Sequence, residues 1–384
     1  MPDSTAQDGF FIGLMSGTSM DGVDAALCQF KGGRLQTIIG TGASNYPSAL
    51  RSTLIDLQLN PDRSINLAQF ARLDHAVAQA FVDAVQDALQ STALPANQIV
   101  AIGSHGQTVF HDPQSSHNSL QIGNPNWIAA QTKIPVVSDF RRMDMALGGQ
   151  GAPLVPAFHA AFFANATPCT ILNLGGIANV TLLEEGTTAV RGFDTGPGNG
   201  LMDAWIQQHQ HRPFDQDGAW AASGHCIPEL LEACLSDPYF AQPAPKSTGR
   251  DYFNLGWLQR QDPLLYSHPA EDVQHTLCAL TAESIARQLP RWAAHATRAQ
   301  VWVCGGGARN GELMRQIRDA LSPSRVNFTV ELGLDGQMVE AAAFAWLAQR
   351  RFSRQAVDLC SVTGARAPAI LGGLYLPPGN AQTD

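Results

Sequence analysis

Residues 10–30 read FFIGLMSGTSMDGVDAALCQF. Apolar runs over 10–13 and 23–30 flank a turn of small and polar residues, Ser16-Gly17-Thr18-Ser19-Met20-Asp21-Gly22. That is the pattern of two strands joined by a long, glycine-bearing tip. Residues 170–183, TILNLGGIANVTLL, have the same form: strand, a Gly175-Gly176 turn, strand. The two stretches share form rather than letters, and no fixed repeat period runs through the chain. One such hairpin in each half predicts two related domains.

The segments around the hairpins alternate between the two periodicities. Over 66–90, Leu67, Phe70, Leu73, Val77, Phe81, Val85 and Leu89 recur every three or four residues, which predicts an amphipathic helix. Residues 99–102 read as a strand ending in Gly103-Ser104-His105-Gly106-Gln107-Thr108. Residues 273–289 and 338–352 read as helices and 301–304 as a strand. Asn310 is a plausible cap for a helix over 311–321. Strands alternating with helices define an α/β chain. Glycines and unusual polar residues crowd 121–153, so the expected boundary lies near 150, with one domain over 1–150 and another over 151–384. The proline- and aromatic-rich stretch 236–262 is expected to be an ordered functional loop.

The composition supports two domains and removes several functional classes. The chain has 384 residues, with 24 Lys plus Arg against 33 Asp plus Glu, for a formal charge of −9. Only Lys31, Lys133 and Lys246 are lysines, so nearly all positive charge is arginine. A hydrophobic fraction of 45% argues against a disordered chain. The acidic balance argues against nucleic acid as a partner. The seven cysteines form no Cys-x-x-Cys pair, which suits a reducing compartment and argues against a zinc site. No apolar stretch is long enough to span a bilayer, and residues 1–8 lack the basic and apolar parts of a secretory signal. A cytoplasmic location is therefore expected, with no membrane partner.

No Gly-Lys pair occurs anywhere, which excludes the P-loop route to phosphoryl transfer. The tips at Gly17 and Gly175, and the run Gly305-Gly306-Gly307 after a strand, can bring backbone N–H groups to a polyphosphate without a lysine. The alternative is that they only form tight turns. Residues 305–310 also fit part of a dinucleotide fingerprint, but Asn310 stands where its third glycine belongs. In Gly192-Phe193-Asp194-Thr195-Gly196-Pro197-Gly198-Asn199 a carboxylate sits at a strand end. It can take a proton from a hydroxyl or water, or it can serve an Asx turn. Asp21 and Asp24 can hold Mg²⁺ or serve turn chemistry. His105 and the Arg141-Arg142 pair also follow strands, and guanidinium forks suit carboxylates and phosphates.

Eight motifs in one order, spanning about 10–377, resemble the anhydro-N-acetylmuramic acid kinase family. They are residues 15–24, 102–108, Asp139-Phe140-Arg141-Arg142, 148–159, 173–179, 193–199, Pro245-Lys246-Ser247-Thr248-Gly249-Arg250, and Cys304-Gly305-Gly306-Gly307. Met20 stands where the family usually has Leu, and Met143 where a third Arg is common. The resemblance implies a bilobal actin-, hexokinase- and Hsp70-like (ribonuclease H-like) fold with an interlobe active-site cleft. It implies an ATP- and Mg²⁺-dependent kinase that opens 1,6-anhydro-N-acetylmuramic acid with water, giving N-acetylmuramic acid 6-phosphate and ADP in peptidoglycan recycling. The first phosphate loop would be Gly17, Thr18, Ser19, Met20, Asp21, Gly22, Val23 and Asp24. The second would be Gly175, Gly176 and Asn179, with Gly305, Gly306 and Gly307 by the adenosine. Asp194 matches the catalytic base and Glu340 a second acidic site residue. Thr18, His105, Arg142 and Asn199 are candidates for the sugar, and Asp21 for the metal. A homodimer is also implied. Two other classes remain: a nucleotide-binding chaperone or filament protein of the same fold, and an NAD dehydrogenase resting on Gly305 to Gly307 alone.

Overall fold

The computed structural model of the chain describes residues 7–17, 20–60, 64–184, 190–244, 246–289 and 300–379. In chain order the strands begin with β1 (Gly9–Met15), β2 (Gly22–Lys31), β3 (Arg34–Asn45), β4 (Ile99–Ser104), β5 (Gln107–Asp112), β6 (Asn118–Ile122) and β7 (Val136–Ser138). They continue with β8 (Cys169–Leu174), β9 (Ile177–Leu183), β10 (Val190–Pro197), β11 (Gln300–Cys304), β12 (Arg325–Phe328) and β13 (Gly373–Tyr375). One sheet has the order β13-β7-β4-β1-β2-β3 and another β10-β9-β8-β11-β12, with β5 and β6 paired apart.

Apart from β13, which pairs antiparallel with β7, the two large sheets share one strand order. In each, three strands form an antiparallel meander, β1-β2-β3 or β8-β9-β10. Two further strands are then added in parallel beside the first, β4 and β7 or β11 and β12. The two hairpins read from the sequence are the first two strands of each copy. This duplicated order is the ribonuclease H-like arrangement expected.

The expected boundary does not survive. The chain divides into Met1–Phe162 with Met338–Asp384, and Phe163–Gln337. So the break falls after 162 rather than near 150, and the chain's last segment returns to the first unit instead of staying with the second. The reason lies in two glycines. Gly13 on β1 and Gly103 on β4 are register partners. A Cβ on Gly13 would lie 1.7 Å from the Ala341 carbonyl oxygen, and one on Gly103 2.0 Å from that of Phe344. The helix Val339–Phe352 therefore rests its backbone directly on the sheet. Its alanines Ala341, Ala342, Ala345 and Ala348 are buried to let it do so.

The first unit's other long helix, Leu67–Gln90, starts with a capping box: Asn66 Oδ1 accepts the Gln69 N–H at 2.9 Å and Gln69 Oε1 accepts the Asn66 N–H at 3.3 Å. Val77, Phe81 and Val85 bury its apolar stripe in the core with Ile12, Leu14 and Ile102. Leu67, counted in that stripe from its spacing, stays exposed in the first turn. In the second unit Leu172, Val180, Trp205, Leu277 and Val303 share a separate core. The helix Gly311–Ala320 begins where expected, with Asn310 Oδ1 accepting the Leu313 N–H at 2.9 Å. The stretch 236–262 is partly helical, with Pro238–Ala241 and Leu255–Gln261 bracketing an irregular segment. All seven cysteines are free thiols.

Candidate active site

Three loops of the second unit meet at the carboxyl ends of its parallel strands, where open α/β sheets bind ligands. Strands β8 and β11 end side by side, with Asn173 opposite Cys304. The β8–β9 tip is only Gly175-Gly176. The Gly175 carbonyl accepts the Asn199 N–H at 2.9 Å, and the Gly176 carbonyl accepts those of Gly198 and Gly200 at 3.0 Å each. A Cβ on Gly198 would sit 2.1 Å from the Gly175 carbonyl oxygen, so only glycine allows this stacking. Gly305 has a left-handed φ of 85° and lies against Leu174, whereas Gly306 has nothing within 4 Å of its would-be Cβ. The result is a floor of backbone with one open glycine. Arg250 lies over Gly176. Asn199 Nδ2 donates to Asp203 Oδ2 at 2.7 Å, and its Oδ1 is buried without a hydrogen-bond partner.

Asp194 enters this end of the sheet from β10. It pairs with Asn179, and the ladder slips between Asp194 and Gly196. A bulge of this kind re-aims the side chains beside it. One carboxylate oxygen, Oδ2, accepts the Thr248 N–H at 2.9 Å. Burial pushes the Asp194 pKa up to about 6, while the Thr248 N–H and the Lys246 charge pull it down. A carboxylate in that range is a usable base near neutral pH. Burial also pushes Asp203 up to about 6, against the pull of Asn199 and Arg250 and with a smaller push from Asp215.

In the first unit the β1–β2 tip is held by side chains. Ser16 Oγ lies 2.7 Å from the Gly22 carbonyl oxygen and from Gln107 Oε1, and accepts the Tyr46 hydroxyl at 3.0 Å. Met20 is buried at a positive φ of 51°, a costly backbone for a non-glycine residue, and anchors the far side of the tip. Asp21 pairs with Arg51 at 2.6 Å and remains 63% exposed. Burial, then the neighbouring Asp21 charge, raise the Asp24 pKa.

Beside this tip lies a compact charged cluster. Arg141 Nη2 lies 2.7 Å and Nε 3.2 Å from His105 Nε2, and Nη1 donates to the Gly151 carbonyl at 2.8 Å. Burial, then the Arg141 charge, hold the His105 pKa well below its ordinary value. The imidazole is therefore neutral, and because Nε2 accepts from Arg141 its proton sits on Nδ1. Burial lowers Arg141 to about 10, with Glu340 and Asp144 pulling it back up, so it stays cationic at neutral pH. Asp144 fixes the loop beneath by accepting the Gly151 N–H and the Thr363 hydroxyl, both at 2.7 Å. Glu340, in the first turn of the helix Val339–Phe352, is raised by burial, lowered by Arg141 and raised by Asp24.

The expected residues thus fall into three groups. Gly175, Gly176, Asn179, Asp194, Asn199, Gly305, Gly306 and Gly307 gather at one end of the second sheet. Gly17, Met20, Asp21, Gly22, Val23 and Asp24 form the first tip, and His105 and Glu340 meet around Arg141. Thr18 and Ser19 lie outside the described residues. Arg142 pairs with Asp139 at 2.7 Å on the surface, and its neighbour Arg141 is the one in the cluster. Of that pair the resemblance singled out Arg142 as the sugar candidate, whereas it is Arg141 that lies against His105. Sequence reasoning gave no signal for Asp144, Asp203 or Tyr239, which depend on contacts far along the chain. Among the described residues no group of three His, Cys, Asp or Glu could hold a metal ion, and no helix is long and apolar enough to cross a membrane.

Fold and site together define a duplicated ribonuclease H-like α/β protein with two glycine-tipped hairpins and a half-buried carboxylate beside the second. Comparison with known proteins narrows this. A sequence model described as anhydro-N-acetylmuramic acid kinase matches residues 9–377. The chain is 50% identical over 369 residues to the anhydro-N-acetylmuramic acid kinase of Shewanella halifaxensis, covering 95% of this chain and 98% of that one. It is 48% identical over 368 residues to that of Shewanella oneidensis, with the same coverage. The chain belongs to the anhydro-N-acetylmuramic acid kinase family. Among solved structures it is similar to an activator of 2-hydroxyisocaproyl-CoA dehydratase from Clostridium difficile with bound ADPNP, at 12% identity and a TM-score of 0.45, covering 90% of this chain and 96% of that one. A ROK family glucokinase from Streptomyces griseus gives 13% identity and a TM-score of 0.39, over 88% and 98% of the two chains.

Proposed function

We propose that this chain phosphorylates 1,6-anhydro-N-acetylmuramic acid with ATP while water opens the anhydro bridge, giving N-acetylmuramic acid 6-phosphate and ADP during cell-wall recycling. The observation that carries the chemistry is Asp194, a carboxylate with a pKa of about 6 held beside a floor of backbone glycines. The reaction needs one base and charge stabilisation, and no nucleophilic side chain. Asp194 takes a proton from water as the water oxygen attacks C1. The C1–O6 bond breaks, and O6 accepts the phosphoryl group that leaves ADP. Backbone groups around Gly17, Gly22, Gly175 and Gly176 serve the phosphates, and Gly305 to Gly307 the adenosine. His105, Thr18 and Asn199 serve the sugar, and cationic Arg141 beside His105, rather than the Asp139-paired Arg142, suits an anionic substituent. Glu340 assists as the second acid.

Mg²⁺ supplies charge neutralisation at the phosphates when bound. Asp21 and Asp24 suit it: they are neighbouring carboxylates at an exposed tip, and such sites use one or two carboxylates plus phosphate oxygens and water. The same reading implies a cytoplasmic homodimer acting on a free sugar. Turnover in ¹⁸O-water followed by mass spectrometry tests it. Label at the C1 hydroxyl, with ADP release that depends on the sugar, is expected. An unlabelled product overturns the water attack.

A further inference from the structure

The segment 246–248 contributes no side chain to the chemistry above, yet it is tied to Asp194 by an unusual set of bonds. The Asp194 N–H donates to the Lys246 carbonyl at 3.0 Å. Lys246 Nζ donates to the Tyr239 carbonyl at 3.0 Å. The Tyr239 hydroxyl donates back to the Asp194 carbonyl at 2.8 Å. Three residues from separate stretches of chain thus close a ring, and the Thr248 N–H on Asp194 Oδ2 adds a fourth bond to the carboxylate itself. The ammonium also sits 4.4 Å above the Tyr239 ring centroid, within cation–π range. Tyr239 is fixed in its turn. It is buried, and its N–H donates to Asp237 Oδ1 at 2.9 Å, while Asp237 also accepts Tyr252 Oη and Trp257 Nε1. A lysine side chain is ordinarily the most mobile of cations; here its head is held in place.

We propose that Lys246 is a positioning residue for Asp194, its ammonium held by Tyr239 as the fixed counter-charge that keeps the carboxylate available as a base. The proposal rests on the reading of Asp194 as that base. The ammonium lies over the ring whose hydroxyl binds the Asp194 carbonyl; burial works against the charged form of Asp194, and the Lys246 charge and the Thr248 N–H work for it. Burial and the Asp194 charge both push the Tyr239 hydroxyl far above its ordinary range, so it stays neutral and offers no compensating charge. Burial lowers Lys246 and Asp194 raises it, the mutual pull expected of a coupled pair of opposite sign.

The test is the pH profile of sugar-dependent ADP release in wild type, Lys246→Gln, Lys246→Arg and Asp194→Asn, with melting temperatures as a check on folding. Glutamine can still donate to the Tyr239 carbonyl but carries no charge. The acid limb of kcat, near pH 6 in wild type, should move up by roughly one unit in Lys246→Gln and return in Lys246→Arg. An unmoved midpoint in Lys246→Gln overturns the proposal. If that variant fails to fold, an Arg variant whose midpoint has risen by a unit overturns it equally. Full activity in Asp194→Asn would instead defeat the base assignment, a result distinct from either.

Discussion

The β1–β2 tip and the β8–β9 tip occupy matching places in two sheets that share a five-strand order, yet side chains take a far larger part in holding the first. The second is two glycines pinned by three backbone hydrogen bonds from residues 198–200. The first is a longer turn locked by Ser16, Gln107, Tyr46 and the buried Met20. Backbone stacking brings chain against chain and leaves no room for side chains, so the second unit supplies its carboxylate from the bulge on β10. Side-chain locking leaves the loop free to carry its own acids, Asp21 and Asp24. One topology can therefore present either amides alone or amides with carboxylates, depending on what fills the space under the tip.

The sharpest way to break this comparison is to remove the acid that the second unit brings. Asp194→Asn should lower kcat by about 10²–10⁴-fold, the usual worth of a general base, with the fold retained. It should also change stability in a signed way. The folded-state pKa of about 6 lies above the ordinary 3.8, so the contribution of Asp194 is fully present below 3.8 and is lost as pH rises through about 6. The variant should therefore gain on wild type by roughly 2 kcal/mol between pH 4 and pH 8, read by denaturant unfolding at both values. A constant difference between the two proteins would show that Asp194 is not strained by burial.

A smaller effect tests why the first unit reclaims the end of the chain. Gly103→Val places side-chain atoms where the Phe344 carbonyl lies and should cost at least the roughly 1–3 kcal/mol typical of overpacking. Unfolding unchanged in midpoint would mean the helix is not seated on those glycines. The smallest concerns the first tip. Ser16→Ala removes one buried hydroxyl that serves three partners and should cost about 1–2 kcal/mol. No loss there would erase the contrast between a tip held by side chains and one held by backbone.

Much of the fold was legible because periodicity and turn chemistry are local. The helix Leu67–Gln90 was carried by its three- and four-residue spacing, and the two hairpins by apolar runs around glycine turns. The misplaced boundary has an equally plain cause. Residues 121–153 carry loop-like glycines because they wrap Asp144 and Arg141, not because a domain ends there. Leu67 satisfied the helical spacing yet lies in a first turn that nothing covers.

The sequence by itself determined the α/β class, the duplicated hairpin, the absence of a P-loop and the family, since each of these is written in neighbouring letters. Only the tertiary structure decided that Arg141 rather than Arg142 faces His105, that the helix Val339–Phe352 returns to the first sheet, and that Lys246 and Tyr239 enclose Asp194. Those outcomes turn on burial and on bonds between residues tens to hundreds of positions apart. Burial is also what moves a carboxylate from an ordinary acid to a base near neutral pH.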